Sequence, residues 1–269
     1  MLTGRLRWDK PALMLVTGRE LIPGLGSSAG GDALIQVVEA AVSGGVSLVQ
    51  VREKDLGTAE LCSLARELRQ VLPPTALVLV NVKLPRDKAI LHIAAVDGVH
   101  LAEDIWRGGD PFEMWRQELV VGCSVHSIDG ALEAERRGAD YLAAGSLFET
   151  PSHPGARPRG VGFLRQLCSA VDVPVLAIGG VLPENVEICL NAGAAGVAVR
   201  SPILSVCDPA VAAGRYRQVL DNFRSCCSRV GVCSHLSDTE NARQRSRSQS
   251  DNAREEKKLL LTTENIEEE

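Results

Sequence analysis

Two stretches decide the fold of this chain: Val175-Leu176-Ala177-Ile178-Gly179-Gly180 and Gly196-Val197-Ala198-Val199-Arg200-Ser201. Each is an apolar run, typical of a buried parallel strand, that ends in small or polar residues, and a helical segment separates the two. In a (β/α)8 barrel, the loops after strands 7 and 8 form a phosphate pocket from backbone N–H groups. Glycine lets that backbone approach an anion closely because it has no Cβ. The two stretches therefore predict a barrel whose ligand carries a phosphate.

Further apolar segments precede these two at regular spacing, and helical patterns alternate with them. The predicted strands cover residues 13–17, 47–52, 76–81, 98–101, 119–125, 141–147, 173–180 and 196–201. Alternating strand and helix signals indicate parallel strands that are joined by crossover helices. The sequence therefore predicts an α/β protein built as a single (β/α)8 TIM barrel.

A weak internal repeat supports the barrel. Ser43-Gly44-Gly45-Val46, Arg137-Gly138-Ala139-Asp140 and Ala192-Gly193-Ala194-Ala195 each stand between a predicted helix and the next predicted strand. A glycine at such a position can adopt the left-handed conformation that ends a helix. The three segments therefore indicate the same helix-to-strand junction at three places in the chain.

The composition changes beyond about Phe223. Residues 243–254 are polar and rich in Arg and Ser, and the chain ends in three consecutive glutamates. A segment with so few apolar residues cannot offset the entropy cost of becoming ordered. We therefore expect the barrel to occupy residues 1–223 and residues 224–269 to form a polar, disordered tail.

Composition and charge argue against several classes of function. The net charge of -5 argues against a nucleic-acid-binding surface over the whole protein. No apolar run is long enough to span a bilayer, and the N-terminus lacks the apolar core of a signal peptide. The 8 cysteines include no C-x-x-C pair, which favours small buried thiols in a reducing compartment over metal ligands. We expect a cytoplasmic protein with no nucleic-acid or membrane partner.

The segment that ends the second predicted strand, Gln50-Val51-Arg52-Glu53-Lys54, is the first candidate binding site. Alternate residues of a strand share one side, so Gln50, Arg52 and Lys54 can converge on one target. Two cations and an amide suit a phosphate or a diphosphate. A surface ion-pair patch that includes Glu53 is the alternative interpretation.

Other polar residues follow other predicted strands. Asn81 ends the third strand, and Ser124 lies near the end of the fifth, although the sequence offers Ser124 no obvious partner for nucleophilic catalysis. Thr150 and Ser152 lie in a Pro- and Gly-rich loop after the sixth strand, where their hydroxyls can donate to a phosphate. These hydroxyls would complement the groups that follow strands 7 and 8, namely those of Gly179, Gly180, Arg200 and Ser201.

These motifs, in this order, resemble those of the thiamin phosphate synthase/TenI family. The resemblance runs from Leu15-Val16-Thr17 to Ser201, which is most of the predicted barrel. It is carried by Gln50-Val51-Arg52-Glu53-Lys54, Asp97-Gly98-Val99-His100-Leu101, Ser124-Val125-His126-Ser127, Gly138-Ala139-Asp140-Tyr141, Phe148-Glu149-Thr150, Ile178-Gly179-Gly180 and Gly196-Val197-Ala198-Val199. Each motif alone has little specificity, but the ordered set is specific.

The resemblance implies a homo-oligomeric barrel that handles thiazole phosphate in thiamin (vitamin B1) biosynthesis. Synthases of this family join a hydroxymethylpyrimidine diphosphate to thiazole phosphate and release pyrophosphate, and Mg²⁺ stabilises the leaving group. By matching motif, the residues that would hold the pyrimidine diphosphate are Gln50, Asn81 and the candidate catalytic residues Arg52, Lys54 and Ser124. Those that would hold the thiazole phosphate are Thr150, Ser152, Gly179, Gly180, Arg200 and Ser201.

The chain departs from the synthases at their magnesium site. Synthases carry an Asp directly after the Asn of strand 3, where this chain has Val82, and a second Asp at the position of Ile105. Valine cannot supply the oxygen ligands that Mg²⁺ requires, so the neighbouring Glu103 and Asp104 are the candidate metal ligands. The lysine that usually follows the Thr-x-Thr motif is replaced by His153, which would bind pyrophosphate more weakly near neutral pH.

The TenI-type thiazole tautomerases, the other branch of the family, also lack the metal site. Phe148-Glu149-Thr150, with Arg159-Gly160-Val161 downstream, is closer to that branch, but its catalytic histidine aligns with Ser146. Serine cannot transfer protons near neutral pH as imidazole can. Three interpretations stay open: a synthase with a rebuilt Mg²⁺ site, favoured by the intact motif at residues 50–54; a tautomerase that needs no cofactor; and a non-catalytic thiazole-phosphate-binding protein.

Overall fold

Eight parallel strands close into a barrel in the order in which they occur along the chain. The computed structural model describes residues 9–24, 31–82, 96–108, 112, 119–150, 155 and 157–230. The strands are β1 (Ala12–Val16), β2 (Leu48–Val51), β3 (Leu77–Val82), β4 (Gly98–Leu101), β5 (Val120–Val125), β6 (Tyr141–Ala144), β7 (Val175–Ile178) and β8 (Gly196–Val199). Strand β8 pairs with both β7 and β1, so the sheet has no free edge. The predicted (β/α)8 barrel is confirmed.

Helices connect most of the strands and cover the outside of the barrel. In the described residues they are α1 (Gly31–Ser43), α2 (Thr58–Val71), α3 (Glu103–Arg107), α4 (Ile128–Arg137), α5 (Gly160–Ala170), α6 (Pro183–Asn191), α7 (Ser201–Leu204) and α8 (Pro209–Val230). The barrel belongs to a compact unit that ends at Phe223. Residues 224–230, which the sequence analysis placed in the disordered tail, belong to helix α8, and the rest of that tail, residues 231–269, lies outside the described residues. No helix in the described part of the chain is long and apolar enough to cross a membrane.

Side chains alternate between two apolar layers, as the two-residue period of a strand requires. In β1, Met14 lies inside the barrel, whereas Leu13 and Leu15 pack with the surrounding helices. The interior layer consists of Ala12, Met14, Val16, Leu48, Leu79, Val120, Tyr141, Leu176 and Ala198. This layer fills the barrel and forms the floor on which a site at the carboxyl ends of the strands can stand.

Glycines end helices and strands where the sequence predicted such junctions. Gly45, Gly138 and Gly193 have φ values of 109°, 100° and 101°, in the left-handed region that glycine adopts without strain. Strand β7 is shorter than predicted, because it covers Val175–Ile178 and not residues 173–180. Gly179 and Gly180 also have positive φ, of 93° and 67°, so they turn the chain instead of continuing the strand.

A glycine in β5 makes room for a large interior side chain. A Cβ on Gly122 would lie 2.0 Å from Cζ of Tyr141, which is fully buried on the neighbouring strand. We expect Gly122→Ala to destabilise the fold by about 1–3 kcal/mol, because the tyrosine ring has to move within a packed core. Urea unfolding measures this loss.

Gly162→Ala is the matched control for Gly122→Ala. Gly162 lies in α5 with open space around its missing Cβ, so alanine should stabilise the protein by about 0.5–1 kcal/mol. Equal effects of the two substitutions would contradict the proposed steric role of Gly122.

Candidate functional site

A cavity of about 1080 Å³ opens at the carboxyl ends of the strands. This is the face of a (β/α)8 barrel on which active sites are found, and the volume is at the upper end of the range for small-molecule sites. Predicted site residues that line the cavity are Gln50, Arg52, Lys54, Asn81, Glu103, Asp104, Ser124, Thr150, Gly179, Gly180, Arg200 and Ser201. Ser152 and His153 lie outside the described residues. The structure thus brings side chains from distant parts of the sequence to one cavity.

In the segment 50–54, at the end of β2, the side chains of Gln50, Arg52 and Lys54 line the cavity, whereas that of Glu53 is buried and pairs with Arg19. Gln50 is buried, and its side-chain amide donates to Oδ1 of Asn81 at 2.9 Å. Glu53 is 2% exposed, so this segment is not the surface ion-pair patch of the alternative interpretation. Its carboxylate accepts from the Thr17 hydroxyl at 2.6 Å and from the backbone N–H of Arg19 at 3.0 Å. Glu53 therefore ties the loop after β1 to the segment that presents the cavity residues.

Two guanidinium groups share one side of the cavity. Burial and the positive charge of Arg200 lower the pKa of Arg52. Nε of Arg200 donates to the carbonyl oxygen of Thr17 at 3.1 Å, and Nη2 forms an ion pair with Glu20. A Cβ on Gly18 would lie 2.1 Å from Nη2 of Arg200, so Gly18 leaves the space that this guanidinium occupies. Two cations held on one side of a cavity favour an anionic ligand there.

Ser124 has a histidine partner that sequence reasoning missed. Its Oγ lies 2.9 Å from Nε2 of His100, and Nδ1 of that ring lies 2.8 Å from the hydroxyl oxygen of Tyr141. Burial and the charge of Arg52 lower the pKa of His100 to about 3, so the imidazole is neutral near neutral pH. The pair depends on the register between two strands, which the sequence does not reveal: His100 pairs with Gly122, two residues before Ser124, so both side chains share one face.

The two candidate metal ligands have different surroundings. Glu103 forms an ion pair with Arg107 at 2.8 Å and a short contact with Nδ1 of His126. Although burial raises the pKa of Glu103, hydrogen bonds with His126 and Arg107 hold it below its usual value. Asp104 lines the cavity and is exposed, and its carboxylate makes no hydrogen bond or ion pair with another described residue. Asp104 is therefore the better placed of the two to accept a cation.

The described residues do not form a metal site made of protein ligands alone. Val82 is fully buried in the core, and no group of three or more His, Cys, Asp or Glu side chains gathers in the described part of the chain. A magnesium ion commonly takes one or two carboxylates and completes its shell with water and substrate phosphates. The carboxylate of Asp104 fits that mode of binding.

The loops after β6 and β7 pack against each other at the cavity. A Cβ on Gly179 would lie 2.6 Å from Cα of Ser146, and one on Gly180 would lie 2.4 Å from the carbonyl oxygen of Glu149. The backbone N–H of Phe148 donates to the carbonyl oxygen of Gly179 at 3.0 Å. Only glycine allows this approach, which brings the loop that carries Thr150 beside the loop after β7.

Sequence reasoning also missed cations in the loop before α5. Arg157 and Arg159 line the cavity and are exposed, and the guanidinium of Arg159 lies 5.3 Å from the ring centroid of Phe163. Their signal in the sequence is the basic pair Arg157-Pro158-Arg159, of which the family resemblance uses only Arg159. These residues add positive charge to the side of the cavity formed by β6.

Comparisons with known proteins agree with this geometry. A family model described as thiamine monophosphate synthase matches residues 13–203. The thiamine-phosphate synthase of Pyrococcus abyssi is 35% identical over 218 residues, which cover 79% of this chain and 96% of that protein. That of Moorella thermoacetica is 35% identical over 197 residues, covering 72% and 92%. A solved thiamine phosphate pyrophosphorylase from Pyrococcus furiosus matches with a TM-score of 0.68 and 31% identity, covering 80% of this chain and 98% of that one.

The buried Glu53 carboxylate generates a stability prediction. Glu53→Gln should lower the free energy of unfolding by about 1–3 kcal/mol, because the amide cannot accept both hydrogen bonds as the carboxylate does and loses the charge that faces Arg19. Asp55→Asn is the matched control: Asp55 pairs with the same Arg19 but is 53% exposed, so its loss should cost less than about 1 kcal/mol. Urea unfolding of both variants compares the two costs. A larger loss for Asp55→Asn would contradict the bracing role of Glu53.

Proposed function

The chain belongs to the thiamine monophosphate synthase (TMP-TENI) family, and on that premise we propose that it is a transferase of thiamin biosynthesis. It joins a hydroxymethylpyrimidine diphosphate to thiazole phosphate and releases pyrophosphate. The observation that carries this proposal is the cavity itself, which is lined both by the residues after β2 and by the glycine loop after β7. Two phosphorylated substrates can therefore meet between two anion-binding sides.

The side formed by β2 to β5 suits the pyrimidine diphosphate. Arg52 and Lys54 carry the charge that two linked phosphates require. Gln50 and Asn81 are hydrogen-bonded to each other, which fixes both amides for contact with a heterocycle. Ser124 adds a hydroxyl from β5. We assign the diphosphate to the two cations and the pyrimidine ring to the amides and the hydroxyl.

The side formed by β6 to β8 suits the thiazole phosphate. Gly179 and Gly180 bring backbone close to the cavity without side chains, Thr150 lies on the adjoining loop, and Ser201 follows β8. Such a surface binds a phosphate monoester through N–H and O–H donors. Arg200 follows β8 and reaches the loop after β1, so it adds its charge beside that of Arg52. Ser152 stays a predicted member of this subsite, and His153 stays a predicted contact of the pyrophosphate.

The chemistry follows from holding these two ligands together. The C–O bond between the pyrimidine methylene and the diphosphate breaks, and pyrophosphate leaves with the electron pair. The thiazole nitrogen then forms the new C–N bond with its lone pair and becomes the thiazolium nitrogen. Arg52 and Lys54 stabilise the negative charge that grows on the leaving group. Orienting the thiazole nitrogen toward the methylene supplies the rest of the acceleration.

Mg²⁺ is part of this proposal, with Asp104 as its protein carboxylate. Bound there, the ion would neutralise charge on the diphosphate and so make pyrophosphate a better leaving group. Glu103 is engaged with Arg107 and His126, so its role is to orient that edge of the cavity. The substrate's own phosphate oxygens would replace the ligand that Val82 cannot supply.

The cavity favours a synthase over a thiazole tautomerase. Ser146 lines the cavity at the position of the tautomerase histidine, and serine cannot transfer protons near neutral pH. A tautomerase does not need the diphosphate-binding motif at residues 50–54, whose alternate residues Gln50, Arg52 and Lys54 all line the cavity.

A cytoplasmic location is part of the proposal, supported by Cys62, Cys123 and Cys189, which are buried free thiols. The homo-oligomer stays a prediction.

Formation of thiamin phosphate tests the proposed function. Purified protein with both substrates and Mg²⁺ should form it, and Arg52→Ala should lower kcat/KM by about a hundredfold, because a charged donor to the leaving group is lost. Arg165→Ala, which removes an exposed arginine of α5, is the control and should keep wild-type activity. Product formation that is equal in Arg52→Ala and the wild type would overturn the assignment of the diphosphate site.

The metal dependence tests the role of Asp104. Asp104→Asn should raise the Mg²⁺ concentration needed for half-maximal activity by about tenfold, because the only proposed protein ligand loses its charge. Glu187→Gln, at an exposed acid of α6 outside the cavity, should leave the Mg²⁺ titration unchanged. An unchanged titration for Asp104→Asn would place the metal elsewhere.

A further inference from the structure

His100 and Tyr141 are polar residues inside the barrel, and the proposed reaction gives neither of them a role. His100 is 2% exposed and Tyr141 is fully buried. His100 reaches the lining of the cavity beside Ser124, whose Oγ lies 2.9 Å from Nε2 of the imidazole, and Tyr141 connects to the cavity through these two residues. Burying polar groups lowers the stability of a protein unless they form hydrogen bonds with each other. A buried network of this kind therefore suggests a functional role.

The network exists because one strand position lacks a side chain. His100 of β4, Gly122 of β5 and Tyr141 of β6 lie in one row across three adjacent strands. The Tyr141 hydroxyl crosses β5 to reach Nδ1 of His100 at 2.8 Å, over the place where a Cβ of residue 122 would stand. Ser124 follows two residues after Gly122, on the same face and one layer closer to the cavity.

The chemistry of the three groups favours one direction for their hydrogen bonds. A neutral imidazole has one N–H and one lone pair, and it lies between two hydroxyls that can each donate to that lone pair. The phenol, with an ordinary pKa of about 10, is much more acidic than the aliphatic hydroxyl and is the stronger donor. Burial raises the pKa of Tyr141 well above that value, so the phenol keeps its proton. Tyr141 is therefore the favoured donor to Nδ1, and that direction leaves the imidazole proton on Nε2.

We propose that Tyr141 and His100 are positioning residues that fix Ser124 as a hydrogen-bond donor to the substrate. His100 donates its Nε2 proton to Oγ of Ser124, so the hydroxyl hydrogen of Ser124 points away from the ring and toward the cavity. The cavity side it faces carries Arg52 and Lys54, so the ligand there presents acceptor atoms to this donor. The identity of that ligand, a pyrimidine diphosphate, rests on the proposed function.

The tautomer of His100 is the direct test, and it needs no substrate. Two-bond ¹H–¹⁵N correlations of ¹⁵N-histidine-labelled protein report which ring nitrogen carries the proton, and His100→Gln identifies the signal among the 5 histidines. The relay, meaning the hydrogen-bond chain from Tyr141 through His100 to Ser124, requires a neutral imidazole ring with the proton on Nε2 at neutral pH. A proton on Nδ1, or a mixture of tautomers, would overturn the proposal.

A double-mutant cycle tests whether Tyr141 acts through Ser124. Ser124→Ala should lower kcat/KM by about tenfold through loss of one hydrogen bond, and Tyr141→Phe should lower it by a similar or smaller factor. Adding Tyr141→Phe to Ser124→Ala should cause less than a further twofold loss. A full multiplication of the two losses would contradict action through Ser124.

Tyr216→Phe is the matched control for loss of a buried tyrosine hydroxyl. Tyr216 donates to the carbonyl oxygen of Val181 at 3.0 Å and is outside the relay. It should reduce stability without changing the His100 tautomer. If Tyr141→Phe does not fold, the tautomer of the wild-type protein still decides the proposal. If the wild type forms no thiamin phosphate, the proposed function fails while that same measurement still accepts or rejects the relay.

Discussion

Thr17 is the contact point on which the cation side of the cavity depends. It is fully buried just after β1, and each of its polar groups meets a different part of the site. Its N–H donates to the carbonyl oxygen of Gln50, its hydroxyl donates to Glu53 and accepts from the N–H of Arg52, and its carbonyl accepts from Arg200. One residue therefore sets the relative position of β1, β2 and β8. Two arginines that would otherwise repel each other are held beside one cavity by these bonds.

The geometry of the barrel strands determines which polar residues reach the cavity. Its apolar layers alternate along every strand, so each polar residue at a carboxyl end either enters the cavity or turns back into a structural contact. Arg52 and Glu53 are adjacent in the sequence, yet the first lines the cavity and the second braces the loop behind it. Gly122 and Gly180 have no side chain, which allows the Tyr141 ring and the backbone of Glu149, respectively, to approach them closely.

The strands and the cavity were largely predictable, because both follow from local pattern. The apolar runs that end in small or polar residues predicted β7 and β8, and the alternation within residues 50–54 predicted which side chains line the cavity. The partnership of His100 with Ser124 was not predictable in the same way, since it depends on the register between two strands. The contact of Arg200 with Thr17 spans 183 positions, and the engagement of Glu103 by His126 spans 23. Such pairings are set by barrel closure and by packing, which no local pattern encodes.

The stoichiometry of the wild-type reaction tests the central claim most directly. Phosphorus NMR of one sealed mixture of protein, pyrimidine diphosphate, thiazole phosphate and Mg²⁺ follows both phosphorylated products together. A transferase that holds both substrates in one cavity predicts that thiamin phosphate and pyrophosphate form in equal amounts and only when all components are present. Pyrophosphate that forms without thiamin phosphate, or no product from folded protein, would contradict the account.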